Sequence, residues 1–215
     1  MKSQPKRIGH QHGCAIKQRG VVLFFALIAL VVMSLAAVAL IRSVDTSTII
    51  AGNLAFKQAA TTSGDSGVES AIVWLAATET VMQADNRNVF MDATHTYNLT
   101  AAATGYYSNA DPALDLTDPA TWVDASSLLV GTDGSGNEVR YIVQRMCRVA
   151  DQVASQTNCL FSSAALDNNG QSVPLPSDIC TGSGCPVAGQ SPQYRVTSRI
   201  AGPANTVSYI QAFVY

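Results

Sequence analysis

At 215 residues, with 47% hydrophobic residues and a formal net charge of −2, the chain has room for one globular domain and one additional apolar segment. The charge is unevenly placed: Lys2, Lys6, Arg7, Lys17 and Arg19 precede Val21 with no acid among them, and without these five the rest holds 8 basic against 15 acidic residues, a net −7. So acidic a body argues against nucleic-acid binding, which needs a basic footprint to neutralise phosphates.

The first element is apolar. From Val21 to Ile41 the only polar residue is Ser34. At about 1.5 Å per residue this run makes a helix roughly 31 Å long, enough to cross the hydrocarbon of a bilayer. The basic flank is expected to stay cytoplasmic, which sends the remaining chain to the other face. An ordinary secretory signal has a shorter apolar core, of about 7–15 residues, followed by small residues at a cleavage site. A lipoprotein signal is excluded by order, because Cys14 precedes the apolar run. A plain single-span anchor stays open.

Across the boundary the sequence reads Lys17-Gln18-Arg19-Gly20, then Val21-Val22-Leu23-Phe24-Phe25. This junction resembles the class III leader of type IV pilins, which a prepilin peptidase cuts after glycine on the cytoplasmic side. The resemblance implies cleavage between Gly20 and Val21, with the apolar helix retained. Gln18 to Leu23, the apolar run and Ile50-Ala51-Gly52-Asn53-Leu54-Ala55-Phe56 are similar to the N-terminal region of PilX-type minor pilins. The ending, Tyr194 to Ile200 and Thr206 to Val214, is similar to that family too. The match covers about the first quarter and the last tenth of the chain.

One position departs from the major pilins. They carry a glutamate at the fifth residue after the cut, and here that residue is Phe25. A carboxylate in lipid is costly unless paired. In the family it is thought to meet the free amine of the subunit added before. A subunit with no predecessor finds no such amine, so an apolar residue suits an initiating or tip position. Drift in a packed helix is the plainer explanation.

Beyond Ile41, Arg42 and Asp45 mark the exit from the membrane, and the Ser- and Thr-rich stretch 43–48 weakens the helix without stopping it. Gly52 and Ser63-Gly64-Asp65-Ser66-Gly67 are expected weak points. Val68, Ile72 and Leu75 restore helical spacing. One long helix is expected over 21–80, interrupted or kinked near 63–67, with 21–41 as its transmembrane or filament-core part.

Residues 81–137 give no clear elements. Asp111-Pro112, Asp118-Pro119 and Thr132 to Asn137 mark turns, while Tyr106, Tyr107 and Trp122 supply apolar mass. From Glu138 the pattern becomes that of strands: Val139, Tyr141, Val143 and Arg145 alternate with Arg140, Ile142, Gln144 and Met146. Residues 159–188 read as a long loop. Tyr194–Ile200 and Thr206–Val214 flank the Gly202-Pro203 turn as an antiparallel hairpin, one face packed on the long helix.

Four cysteines, Cys147, Cys159, Cys180 and Cys185, lie beyond the apolar helix and read as two disulfides in an oxidising compartment. Three connectivities are open. Sequence proximity favours Cys180–Cys185 and Cys147–Cys159. The rival, a structural zinc site, usually needs tight pairs, which Cys147 and Cys159 do not form.

Catalytic constellations are missing from the pattern. Of His10, His12 and His95, two lie in the leader. Asp65-Ser66-Gly67 lacks the strand–turn–helix context of a nucleophile elbow, and no Walker-type element appears. Asp133 to Glu138 and Asp167 to Gly170 hold oxygen ligands that suit calcium, yet neither has the twelve-residue spacing of an EF-hand, and turns explain both. Asn98-Leu99-Thr100 matches a glycosylation acceptor, a pattern short enough to recur by chance.

The expected architecture is α+β, a type IV pilin fold: leader 1–20, long helix 21–80, and a periplasmic domain 81–215 with an antiparallel sheet. No cofactor, metal or enzymatic activity is expected. The resemblance implies a minor pilin that helps initiate pilus assembly at the tip. Its implied partners are other minor pilins, the major pilin, a PilY-type tip adhesin, the prepilin peptidase and the inner-membrane assembly platform. Two alternatives are a type II secretion tip pseudopilin, whose relatives carry an inserted helical domain, and a tethered periplasmic binding domain.

Overall fold

A computed structural model describes residues 20–215. The rest of the expected leader, residues 1–19 with His10, His12 and Cys14, lies outside the described residues. Helix α1 spans Val21–Ala84, four residues beyond the expected end. Its sequence contains no proline and is rich in alanine, which favours an uninterrupted run. The Ser/Thr stretch does not break it, because the hydroxyls turn back on the helix. Thr46 Oγ1 donates to Arg42 O at 2.9 Å, Ser47 Oγ to Ser43 O at 2.8 Å and Thr48 Oγ1 to Val44 O at 2.9 Å.

The helix stops at a Schellman turn. Asn86 has φ 54°, the left-handed conformation that asparagine tolerates. Its N–H donates to Gln83 O at 3.0 Å and the Arg87 N–H donates to Met82 O at 2.9 Å, so two carbonyls of the last turn are satisfied.

The chain divides into two compact units at Gly52–Asn53. The described part of the first is helix alone, and every residue from Gly20 to Ala51 is exposed. The second, Asn53–Tyr215, has a five-stranded sheet. Its strands are β1 (Tyr106–Tyr107), β2 (Leu128–Thr132), β3 (Glu138–Arg145), β4 (Tyr194–Gly202) and β5 (Thr206–Val214). The order is β1-β3-β4-β5, with β2 pairing on β3 as well. The long hairpin is where the sequence placed it, pairing without a register break from Tyr194↔Val214 to Gly202↔Thr206.

This is the α+β, pilin-like layout: a long N-terminal apolar helix packed on a C-terminal sheet. The sheet is mixed rather than purely antiparallel, because β1 runs parallel to β3 with Tyr106 opposite Val143. A second correction concerns 63–67, where the helix runs on without interruption and packs tightly against the sheet. A β-carbon on Gly64 would stand 2.7 Å from Ile200 Cδ1, and one on Gly67 would stand 2.9 Å from Val139 Cγ1. Both glycines are there because a side chain would hold the helix off the strands.

Farther along, Ala71 and Leu75 of the helix meet Tyr106, Tyr141, Val143 and Val196 of the sheet, together with Tyr97 and Tyr194. Burying each such aromatic contributes on the order of 2 kcal/mol. On the opposite face of the sheet Tyr107 and Trp122 pack on Ile142, and the Trp122 ring lies 6.0 Å from that of Tyr209 on β5.

Candidate functional site

The residues singled out by sequence fall in two places. Gly20 and Val21 form the start of the helix. Gly20 is exposed with φ 93°, a conformation that side chains disfavour, and its carbonyl accepts from the Phe24 N–H at 3.4 Å. Helical geometry thus begins at Val21, directly after a bend that only glycine adopts without strain. Phe25 lies on the first turns, 64% exposed, and no acidic residue occurs in the first turn of the helix. Ser34 does not spoil the apolar surface, since its hydroxyl donates to Val31 O at 2.8 Å. The segment is long and apolar enough to cross a membrane.

The cysteines are in the second unit, bonded as proximity favoured: Cys147 to Cys159 and Cys180 to Cys185. The first bridge is buried beside Ala154 and Phe161. The second closes the Thr181–Gly184 turn and is half-buried.

Two residues before Cys147 stands a residue that the sequence presented as one more position in an alternating strand. Arg145, at the end of β3, is fully buried. Its Nε donates to Ser108 O at 3.0 Å, its Nη2 to Gln152 O at 2.6 Å, and its Nη1 to Asn98 Oδ1. The guanidinium therefore joins three connecting segments through neutral acceptors. Asn98 is itself fully buried, and its Nδ2 donates to Val89 O and Asp92 O, both at 2.8 Å. The glycosylation pattern at Asn98 is thus spent on the fold: its amide is out of reach of a modifying enzyme.

Neither calcium pattern forms an open ligand set. Asp133 Oδ1 accepts from the Ser135 N–H at 2.7 Å and the Asn137 N–H at 2.9 Å, while its Oδ2 accepts from Asn137 Nδ2 at 2.8 Å and from the Ser63 hydroxyl. The Ser63 bond, with those from Asn137, holds the Asp133 carboxyl well below the usual carboxylate range. Asp167 Oδ1 is likewise occupied by the backbone of its own turn, at Asn169 and Gln171. Among the described residues no group of three His, Cys, Asp or Glu side chains is placed to hold a metal.

The buried titratable groups are mainly phenols. Desolvation pushes Tyr106 and Tyr194 well up, and Tyr141 to about 12, so they stay neutral at ordinary pH. His95 is buried with its pKa lowered by desolvation, and its Nδ1 accepts from the Tyr97 N–H at 3.2 Å. The tyrosines pack on one another as rings, Tyr97 and Tyr194 with centroids 5.5 Å apart, and their chemistry is that of a core. No family model, no curated protein and no solved structure matches the chain.

Proposed function

We propose that the chain is a PilX-like minor pilin of the type IV pilus, matured by a prepilin peptidase between Gly20 and Val21. It would help to initiate the filament and remain at its tip. The observation that carries this reading is the start of the helix. An apolar rod begins at the residue after a glycine bend and stays bare through Ala51. That much apolar surface needs lipid, and then other helices of the same kind. Phe25 adds to the argument, because an apolar residue at this place spares a first subunit an unpaired carboxylate.

The reading assigns the helix to the inner membrane before assembly and the second unit to the periplasm. Its partners would be the other minor pilins, the major pilin, a PilY-type adhesin and the assembly platform. The tip-pseudopilin alternative is disfavoured by residues 85–137, which hold 3-10 turns and two short strands where those relatives carry a helical insertion.

Mass spectrometry of the membrane-extracted protein tests the reading: a mature N-terminus at Val21 is expected. Replacing Gly20 by leucine should leave the full-length precursor and reduce surface pili. An intact Met1 in the wild-type protein, or undiminished piliation in a deletion strain, would overturn it.

A further inference from the structure

The sheet ends one strand early. Strand β5 pairs with β4 on one side, and among the described residues no strand pairs with the other. Exposed edges are normally blunted by a charge, a proline or a bulge. Over its nine residues, Thr-Val-Ser-Tyr-Ile-Gln-Ala-Phe-Val, β5 has no charge and no proline, and its register with β4 shows no shift.

The core thins at the same place. Tyr194, Val196, Ser198 and Ile200 of β4 are buried, while their cross-strand partners Val214, Ala212, Ile210 and Ser208 are only half-buried. On the helix alongside, Leu54 is 55% and Ile72 43% exposed, on either side of the contact between Gly64 and Ile210. Grooves open at both ends of this seam. One, of about 440 Å³, lies against Ile72, Glu79 and Val214; another lies against Leu54, Lys57 and Ser208.

The geometry points to β5 as an acceptor edge for an extended segment of another polypeptide, laid antiparallel in the seam between β5 and α1. The backbone of β5 supplies the hydrogen bonds, and the seam fixes the occupant's composition and direction. One side of the added strand rests on Ile72, Leu54 and the inner residues of β5, so that side is apolar. The two ends of the seam carry opposite charges, Lys57 beside Ser208 and Glu79 beside Val214. Neither forms a salt bridge among the described residues. β3, β4 and β5 are successively antiparallel, and a strand continuing that order starts opposite Val214 and ends opposite Thr206. The partner segment therefore carries a basic residue at its start, a middle that alternates apolar and polar side chains, and an acidic residue at its end. This is recognition by strand addition, in which main-chain bonds give affinity and alternate side chains give specificity. It does not depend on the pilin reading.

The test uses the full chain in detergent micelles and a labelled, end-capped probe peptide, Lys-Thr-Val-Thr-Val-Thr-Val-Thr-Glu, whose valines fall opposite Ala212, Ile210 and Ser208 on the seam side. Saturable binding is expected, with slowed amide exchange over Thr206–Val214. Exchanging the terminal lysine and glutamate should weaken binding about fivefold, the effect of two exposed ion pairs. N-methylation at alternate residues separates backbone pairing from general stickiness: one frame should abolish binding and the other leave it intact. Ala212→Lys, which puts a charge on the seam side of β5, should abolish binding with the melting temperature monitored alongside. If that variant unfolds, the two methylated peptides still decide. Absence of binding, equal binding of both methylated frames, or unchanged exchange at β5 would overturn the inference. So would concentration-dependent dimerisation that protects β5 without peptide, which would give the edge to a second copy of this chain.

Discussion

Gly67 of the long helix lies against Ser198 of β4 so closely that a β-carbon on the glycine would stand 3.0 Å from the serine Cβ and fall on its hydroxyl. Three residues earlier, Gly64 makes the same approach to Ile200 and Ile210. The two contacts differ in what can give way. The atoms facing Gly64 belong to the tips of isoleucine side chains, which can rotate. Those facing Gly67 include a Cβ fixed to the strand.

Gly67→Ala is therefore expected to destabilise the protein. The substitution gains about 1 kcal/mol of helix propensity and meets an overpacking cost of about 1–3 kcal/mol, so the net loss should be on the order of 1 kcal/mol. Gly64→Ala should lose less, because Ile200 and Ile210 can repack; urea melts of the two variants and the wild type check the order. If both variants proved more stable than the wild type, helix propensity would have outweighed the close approach.

Arg145→Met should be much more damaging. It would leave Ser108 O, Gln152 O and the Asn98 side chain without their donor inside the protein. Ser108 and Asn98 are fully buried, and each buried acceptor so orphaned costs about 1–3 kcal/mol, which places the total at several kcal/mol. The loss should show as early protease sensitivity near residues 98–110 and 148–156, the segments the guanidinium joins. Arg145→Lys should recover only part of the stability, because an ammonium cannot span three acceptors set out for a planar fork.

The Ser63–Asp133 bond ties the turn before β3 to the helix and gives acid stability a defined sign. The folded-state pKa of Asp133 is lowered, so its contribution is present above the unfolded value of about 3.9 and is lost as pH falls toward the folded one. Melting temperature should thus be insensitive to this group from pH 7 to about 5 and fall below about pH 4. Ser63→Ala removes the largest cause of the shift. It should lower the melting temperature at pH 7 and flatten the acid limb. Asp92, lowered by its hydrogen bond from Arg87, adds to the acid limb in both proteins, so the difference between them isolates Asp133.

How much of this was legible in the sequence depends on the length of the signal. The long apolar run and the alternation of Tyr194–Ile200 and Thr206–Val214 repeat over many residues, and α1, β4 and β5 were readable from them. β1 is Tyr106–Tyr107 alone, too short to show a period, and it exists because β3 offers a free edge beside it. Gly64 and Gly67 were misread because local propensity marks glycine as a helix breaker, whereas their cause is a strand well over a hundred residues away in sequence. Arg145 was hidden by its own pattern: alternation predicts that the position faces inward, but not that a cation there finds neutral partners. The cysteine pairing was favoured by proximity, and the turns around Asp133 and Asp167 by composition.

The two disulfides should open in sequence under a mild reductant. Attack by a thiolate requires access to a sulfur. Cys147 and Cys159 are buried, packed with Ala154 and Phe161, whereas Cys180 and Cys185 are half-buried in a loop that carries no regular strand. Titration with a soluble dithiol, followed by alkylation and peptide mapping, should label Cys180 and Cys185 first. Their loss should lower the melting temperature by less than opening the other bridge, because a five-residue loop restores only about 2 kcal/mol of chain entropy. Opening Cys147–Cys159, twelve residues apart, should cost about 3 kcal/mol and loosen the end of β3 where Arg145 is held. Labelling in the opposite order would mean that the loop over 159–188 shields the shorter bridge more than its exposure suggests, and would remove the basis for treating that loop as the more accessible part.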